Sequence, residues 1–91
     1  MPLSSSEVSS RLASLTNWQI ESGELVRTFT FTDFRAALAF VNHVGDLAEA
    51  AEHHPDIDIR YNRVRLSLVT HDAGGLTEKD FALAAEASKL A

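Results

Sequence analysis

An α+β fold is expected: a four-stranded antiparallel sheet with three helices on one face, in the order α-β-β-α-β-β-α. Three stretches of this 91-residue sequence predict it. First, Ile57, Ile59 and Tyr61, and then Val64, Leu66 and Leu68, alternate with polar neighbours. That period of two marks strands with one buried face. Second, Leu25 to Phe31 is rich in β-branched and aromatic side chains, which suit a pleated surface. Third, Phe34 to Ala51 is free of proline, rich in alanine and apolar at helical spacing. Two hairpins separated by a helix most simply form a single antiparallel sheet, with the helices on one side.

The elements follow in order. Ser4 with Glu7 three residues on has the spacing of a capping box, and Val8, Leu12 and Leu15 continue at helical spacing, so a short helix is expected over about residues 5–14. Trp18-Gln19-Ile20 reads as a strand and residues 21–24 as a turn before the second strand. Thr32 is placed to cap the central helix, with Asp33 favourable against its dipole. On that helix Phe34, Ala37, Leu38, Val41, Val44 and Ala48 form one stripe, and Phe40, Leu47, Ala36 and Ala51 an adjoining one. Covering a sheet needs a narrower arc, so the excess predicts a second partner, a helix or another subunit. Pro55 restricts His54 to non-helical backbone and ends the helix. The second hairpin is expected to turn at Asn62-Arg63. Ala73 to Leu76 reads as a loop, and Thr77 with Asp80 resembles a second capping box opening the last helix.

Length and charge exclude several classes of function. The chain makes one domain, residues 1–91, with a modest core that a partner copy would supplement. Eight Lys and Arg against thirteen Asp and Glu, without a basic cluster, argue against a nucleic-acid partner. With no cysteine, disulfides, thiolate metal sites and thiol nucleophiles are excluded. The longest apolar run, Ala36 to Val41, is far short of the ~20 residues that span a bilayer, so no membrane role is expected. The N-terminus has no signal pattern, and a cytoplasmic location is the default expectation.

Two of the four histidines are adjacent, His53-His54, directly before Pro55. A helix C-terminus favours a cationic imidazole by ~0.3–1 kcal/mol, and Glu49 and Glu52 lie within about a turn. The hairpin returns the chain from Asp56 to Thr70, which carries His71 back towards His53-His54. Three imidazoles with nearby carboxylates suit general acid–base chemistry near neutral pH. A three-histidine metal site is a weaker alternative, because adjacent helical residues do not share a face. His43 points away from the apolar arc and reads as a surface residue. On local grounds Asp80 reads as a capping acid and Gly74-Gly75 as a turn.

The run Glu49-Ala-Ala-Glu-His53-His54-Pro55, with Tyr61, His71 and Asp80 at their spacing, resembles the signature of the pterin-4a-carbinolamine dehydratases. Trp18, residues 29–34, Tyr61 to Val64 and Thr70 to Thr77 extend the resemblance along nearly the whole chain. It implies dehydration of 4a-hydroxytetrahydropterin to quinonoid dihydropterin and water, a step that recycles the pterin for an aromatic amino acid hydroxylase. It implies His53, His54 and His71 as catalytic residues, supported by Glu49 and Asp80. His53, His54, Pro55, Thr70, His71, Asp72 and Ala73 would contact the pterin. It also implies homodimers or homotetramers. The elimination moves protons and no electrons, so it requires neither a redox cofactor nor a metal. After the proline, many relatives have an acid and two aromatics, where this chain has Asp56-Ile57-Asp58. The opposing reading is a catalytically idle binding or dimerisation module of the same fold.

Overall fold

Burial of alternate residues along two central strands organises the molecule, as seen in a computed structural model that describes residues 1–91. The elements are α1 (Ser5–Ala13), β1 (Gln19–Glu21), β2 (Glu24–Thr30), α2 (Phe34–Ala51), β3 (Asp56–Arg60), β4 (Arg63–Leu68) and α3 (Glu78–Leu90), with a 3-10 turn at His71–Ala73 before α3. The four strands form one antiparallel sheet in the order β1-β2-β4-β3. This is the predicted α-β-β-α-β-β-α architecture.

Residues paired across an antiparallel ladder share a face. Leu25 pairs with Leu68 and Phe29 with Val64, so these four and Leu66 project together. They are buried with Ala37, Phe40, Val44 and Ala48 of α2 and Phe81, Leu83, Ala84 and Ala87 of α3. Phe40 stacks on Phe29 and Phe31 at centroid distances of 4.6 and 4.9 Å. Arg27 shares the apolar face. Its guanidinium lies 4.1 Å over the Phe29 ring, and it shares Ser88 Oγ with the Trp18 indole N–H. Burial lowers the Arg27 pKa from the usual arginine value. α1 buries no residue fully but lays Val8 and Leu12 against the core edge.

Four local expectations are corrected. Asp33, not Thr32, caps α2: its carboxylate accepts from the Ala36 N–H at 2.8 Å. The inward stripe of α2 is Ala37, Phe40, Val44 and Ala48, while Phe34 and Leu38 are exposed. The hairpin turns at Tyr61-Asn62, because Arg63 is held in β4 by Thr30 and Arg60. Asn62 is fixed as a loop residue by donating its side-chain amide to Phe31 O and accepting from Phe31 N–H, both at 2.8 Å. Finally, α2 ends before Pro55. Glu52 takes a left-handed conformation (φ 52°), and the His53 N–H turns back to Ala48 O at 3.1 Å. Pro55 then prevents the helix from restarting.

Candidate active site

The helix ending at Glu52 leaves His53 and His54 in the extended link between α2 and β3. Successive side chains of extended backbone point to opposite sides, and the two imidazoles part accordingly. His53 is turned inward, with 10% of its side chain exposed, and His54 outward, with 63% exposed. The β3–β4 register sets what His53 meets. Asp56 lies opposite Ser67, so three residues before Asp56 and three after Ser67 the register brings His53 beside Thr70.

His53 Nε2 lies 2.6 Å from Asp80 Oδ1. The Asp80 carboxylate is fully buried, and its other oxygen accepts from the Thr70 hydroxyl at 2.8 Å and the Thr77 N–H at 2.9 Å. Three donors thus surround a buried anion, as such burial demands. Asp80 serves two purposes at once. It completes the α3 capping box with Thr77 and orients an imidazole from the far side of the chain. Thr70 also bonds Thr77 hydroxyl to hydroxyl at 2.8 Å. Since Thr70 immediately precedes the 3-10 turn, this cluster ties the His71 segment to His53. The turn is closed by Gly74 N–H to Thr70 O at 3.1 Å and His71 O at 3.0 Å, with Gly74 in the left-handed region at φ 76°.

His54 pairs differently. Its Nε2 lies 2.5 Å from Glu49 Oε2, and both side chains are largely exposed. His71 and Asp72 are exposed on the 3-10 turn, while Pro55 and Ala73 are half-buried. A cleft of about 500 Å3 flanks this turn, lined by Thr70, Asp72, Ala73 and Thr77 and by Leu3 from the N-terminal segment. The three histidines lie outside its wall. No three His, Asp or Glu side chains converge as a metal-ligating set. Chemically, the site offers one imidazole held by a buried carboxylate, one solvent-facing imidazole beside a carboxylate, and one on a short turn.

The family model for "Pterin 4 alpha carbinolamine dehydratase" matches residues 1–90. The chain belongs to the pterin-4-alpha-carbinolamine dehydratase family. A Chloroflexus aurantiacus protein named "Putative pterin-4-alpha-carbinolamine dehydratase" is 64% identical over 97% of this chain and 95% of its own length. The crystal structure of a transcriptional coactivator/pterin dehydratase from Brucella melitensis superposes with a TM-score of 0.96 at 34% identity, covering 100% of this chain and 99% of that one. A pterin dehydratase-like protein identified as a RuBisCO assembly factor in the alpha-carboxysome superposes with a TM-score of 0.65 at 26% identity, covering 80% and 84%.

Within this dehydratase-family fold, one participant was not singled out from sequence as a site residue. Thr77 reads there only as a helix cap, yet it donates to Asp80 through its N–H and contacts Thr70 through its hydroxyl. The Thr77–Asp80 spacing was the available signal. What hid the wider role is that His53, the other partner of Asp80, lies 27 residues from it.

Proposed function

We propose that this protein dehydrates a 4a-hydroxytetrahydropterin to the quinonoid dihydropterin by histidine general acid–base catalysis, with the whole chain acting as one unit. The observation that carries this reading is the His53–Asp80 pair, a buried carboxylate aimed at an imidazole, in a chain of this family. In the reaction the C4a–O bond breaks as the departing hydroxyl gains a proton, and the N5 proton leaves to complete the C=N bond. The products are dihydropterin and water, and atoms balance without a redox partner. His54 and His71, both open to solvent, are the proposed proton donor and acceptor. His53, held from behind by Asp80, orients the pterin or serves as an alternate acid. Glu49 supports His54 as Asp80 supports His53. Pro55, Thr70, Asp72 and Ala73 belong to the segments that border the substrate. Positioned acid–base groups contribute ~10²–10⁴-fold to such a step.

The pterin would be returned to an aromatic amino acid hydroxylase in the cytoplasm. The protein would work as a homodimer or homotetramer, the second copy meeting the exposed side of α2. A second reading, a binding or assembly module without activity, is favoured by the fold shared with the RuBisCO assembly factor. Following the decay of synthetic 4a-hydroxytetrahydropterin separates the two. Acceleration by folded protein is expected, with full activity after chelator treatment. An unchanged decay rate selects the idle module.

A further inference from the structure

The hydrogen bonds behind His53 have directions that leave a single arrangement of protons. The Lys79 N–H donates to Thr77 Oγ1 at 3.3 Å. The Thr70 hydroxyl donates to Asp80 Oδ2 at 2.8 Å. In the 2.8 Å contact between the two threonines, Thr77 therefore donates and Thr70 accepts. The Thr77 N–H, which can only donate, also reaches Oδ2, at 2.9 Å. With both donors on Oδ2, Oδ1 remains to accept from His53 Nε2 at 2.6 Å. A carboxylate has no hydrogen to give, so Nε2 carries the hydrogen and the lone pair of the neutral ring lies on Nδ1.

We propose that the Thr70 hydroxyl is a positioning group and not a substrate contact: the Thr77–Thr70 hydroxyl relay orients the Asp80 carboxylate, which accepts from His53 and holds it in the Nε2–H form, making Nδ1 its proton-exchanging atom. The hydroxyl of Thr70 is spent on this relay, with one bond received and one given, and no donor is left for a ligand. The same geometry dictates the behaviour of an amide at position 80. In Asp80→Asn the amide oxygen must face the two donors on the Oδ2 side, since an NH2 there would oppose a main-chain N–H. Its NH2 then faces Nε2 and requires a lone pair there, which moves the ring hydrogen to Nδ1. Orientation of a catalytic imidazole by a buried carboxylate follows the same logic in other acid–base sites.

The tautomer is read directly from the 15N shifts of the His53 ring in the full chain without substrate. Neutral His53 is expected as Nε2–H in the wild type, in Thr70→Ser and in Thr70→Val, where the Asp80 carboxylate still accepts, and as Nδ1–H in Asp80→Asn. Only the kinetic arm rests on the dehydratase reading. There Thr70→Val lowers kcat by about tenfold or more and leaves KM within about twofold, with Thr70→Ser restoring the rate. A wild-type ring in the Nδ1–H form overturns the proposal. So does an Asp80→Asn ring that stays Nε2–H, or a Thr70→Val variant with unchanged kcat in a protein that accelerates dehydration. If Thr70→Val does not fold, the wild-type and Asp80→Asn spectra decide. A protein that never accelerates dehydration fails the functional reading and leaves the spectroscopic test standing.

Discussion

Two histidine–carboxylate pairs sit side by side in this chain, and their burial separates what each does for the molecule. The His53–Asp80 pair is inside, where removing Asp80 strands a hydroxyl, a main-chain N–H and an imidazole N–H together. Asp80→Ala should cost about 2–4 kcal/mol, combining a lost cap with unsatisfied buried donors. Urea unfolding followed by circular dichroism measures it, and a cost below the error of the method would refute the assignment of Asp80 as the hub. The His54–Glu49 pair is mostly exposed, and exposed pairs are worth about 0–1 kcal/mol. Accordingly His54→Ala and His71→Ala should keep the unfolding midpoint and the circular dichroism spectrum while losing most of the dehydration rate. A variant that loses stability instead of rate would reverse the roles assigned to the two pairs.

At the scale of elements, the features written in neighbouring residues were legible and those set by distant ones were not. The Ser4–Glu7 and Thr77–Asp80 capping boxes form as their spacing indicates, because a cap is decided within four residues. The turn of the second hairpin falls one residue earlier than its composition suggests, since Asn62 is bound to Phe31 across the sheet, 31 positions away. Likewise, adjacency of His53 and His54 is visible in the sequence. Their divergence depends on the left-handed Glu52 that ends α2 first. That residue gives a prediction of its own. Non-glycine residues pay ~1 kcal/mol or more for this conformation, so Glu52→Gly should stabilise the protein by roughly 1 kcal/mol in denaturant titration. An unchanged or lower midpoint would mean the Glu52 side chain contributes elsewhere. The α1 box gives another. Hydrogen bonds from the Ser4 N–H and hydroxyl lower the Glu7 pKa below the ordinary glutamate value. A carboxylate with a lowered folded pKa contributes stability above its unfolded value and loses it as pH falls through the folded one. Protection of the α1 amides, taken relative to their intrinsic exchange at each pH, should therefore fall below the ordinary glutamate range. Glu7→Gln should remove that pH dependence, and protection flat across the range in the parent protein would contradict it.

For the whole molecule, the decisive feature is apolar surface that the single chain leaves uncovered. Phe34 and Leu38 on α2 are 46% and 38% exposed, and Ile57 and Ile59 on the edge strand β3 are 37% and 36% exposed. The alternation that made β3 look like a strand with one buried face does not give it one within the single chain, where all five of its residues are exposed. Ile57 and Ile59 pair with the buried Leu66 and Val64. No helix of this chain reaches far enough to cover them. The width of the apolar arc on α2 had the same meaning in the sequence, although its inward side takes Ala37, Val44 and Ala48 from one stripe and Phe40 from the other. A modest core with two uncovered apolar strips is the situation in which association adds most. Light scattering after size exclusion is expected to give a dimer or a tetramer. Phe34→Glu with Leu38→Glu, placed in the first turns of α2 at the opposite end from His53 and His54, should lower the assembly state and leave the circular dichroism spectrum in place. Parent protein that elutes as a monomer at micromolar concentration would end the oligomer proposal. The wide arc of α2 would then have to be explained by a different protein.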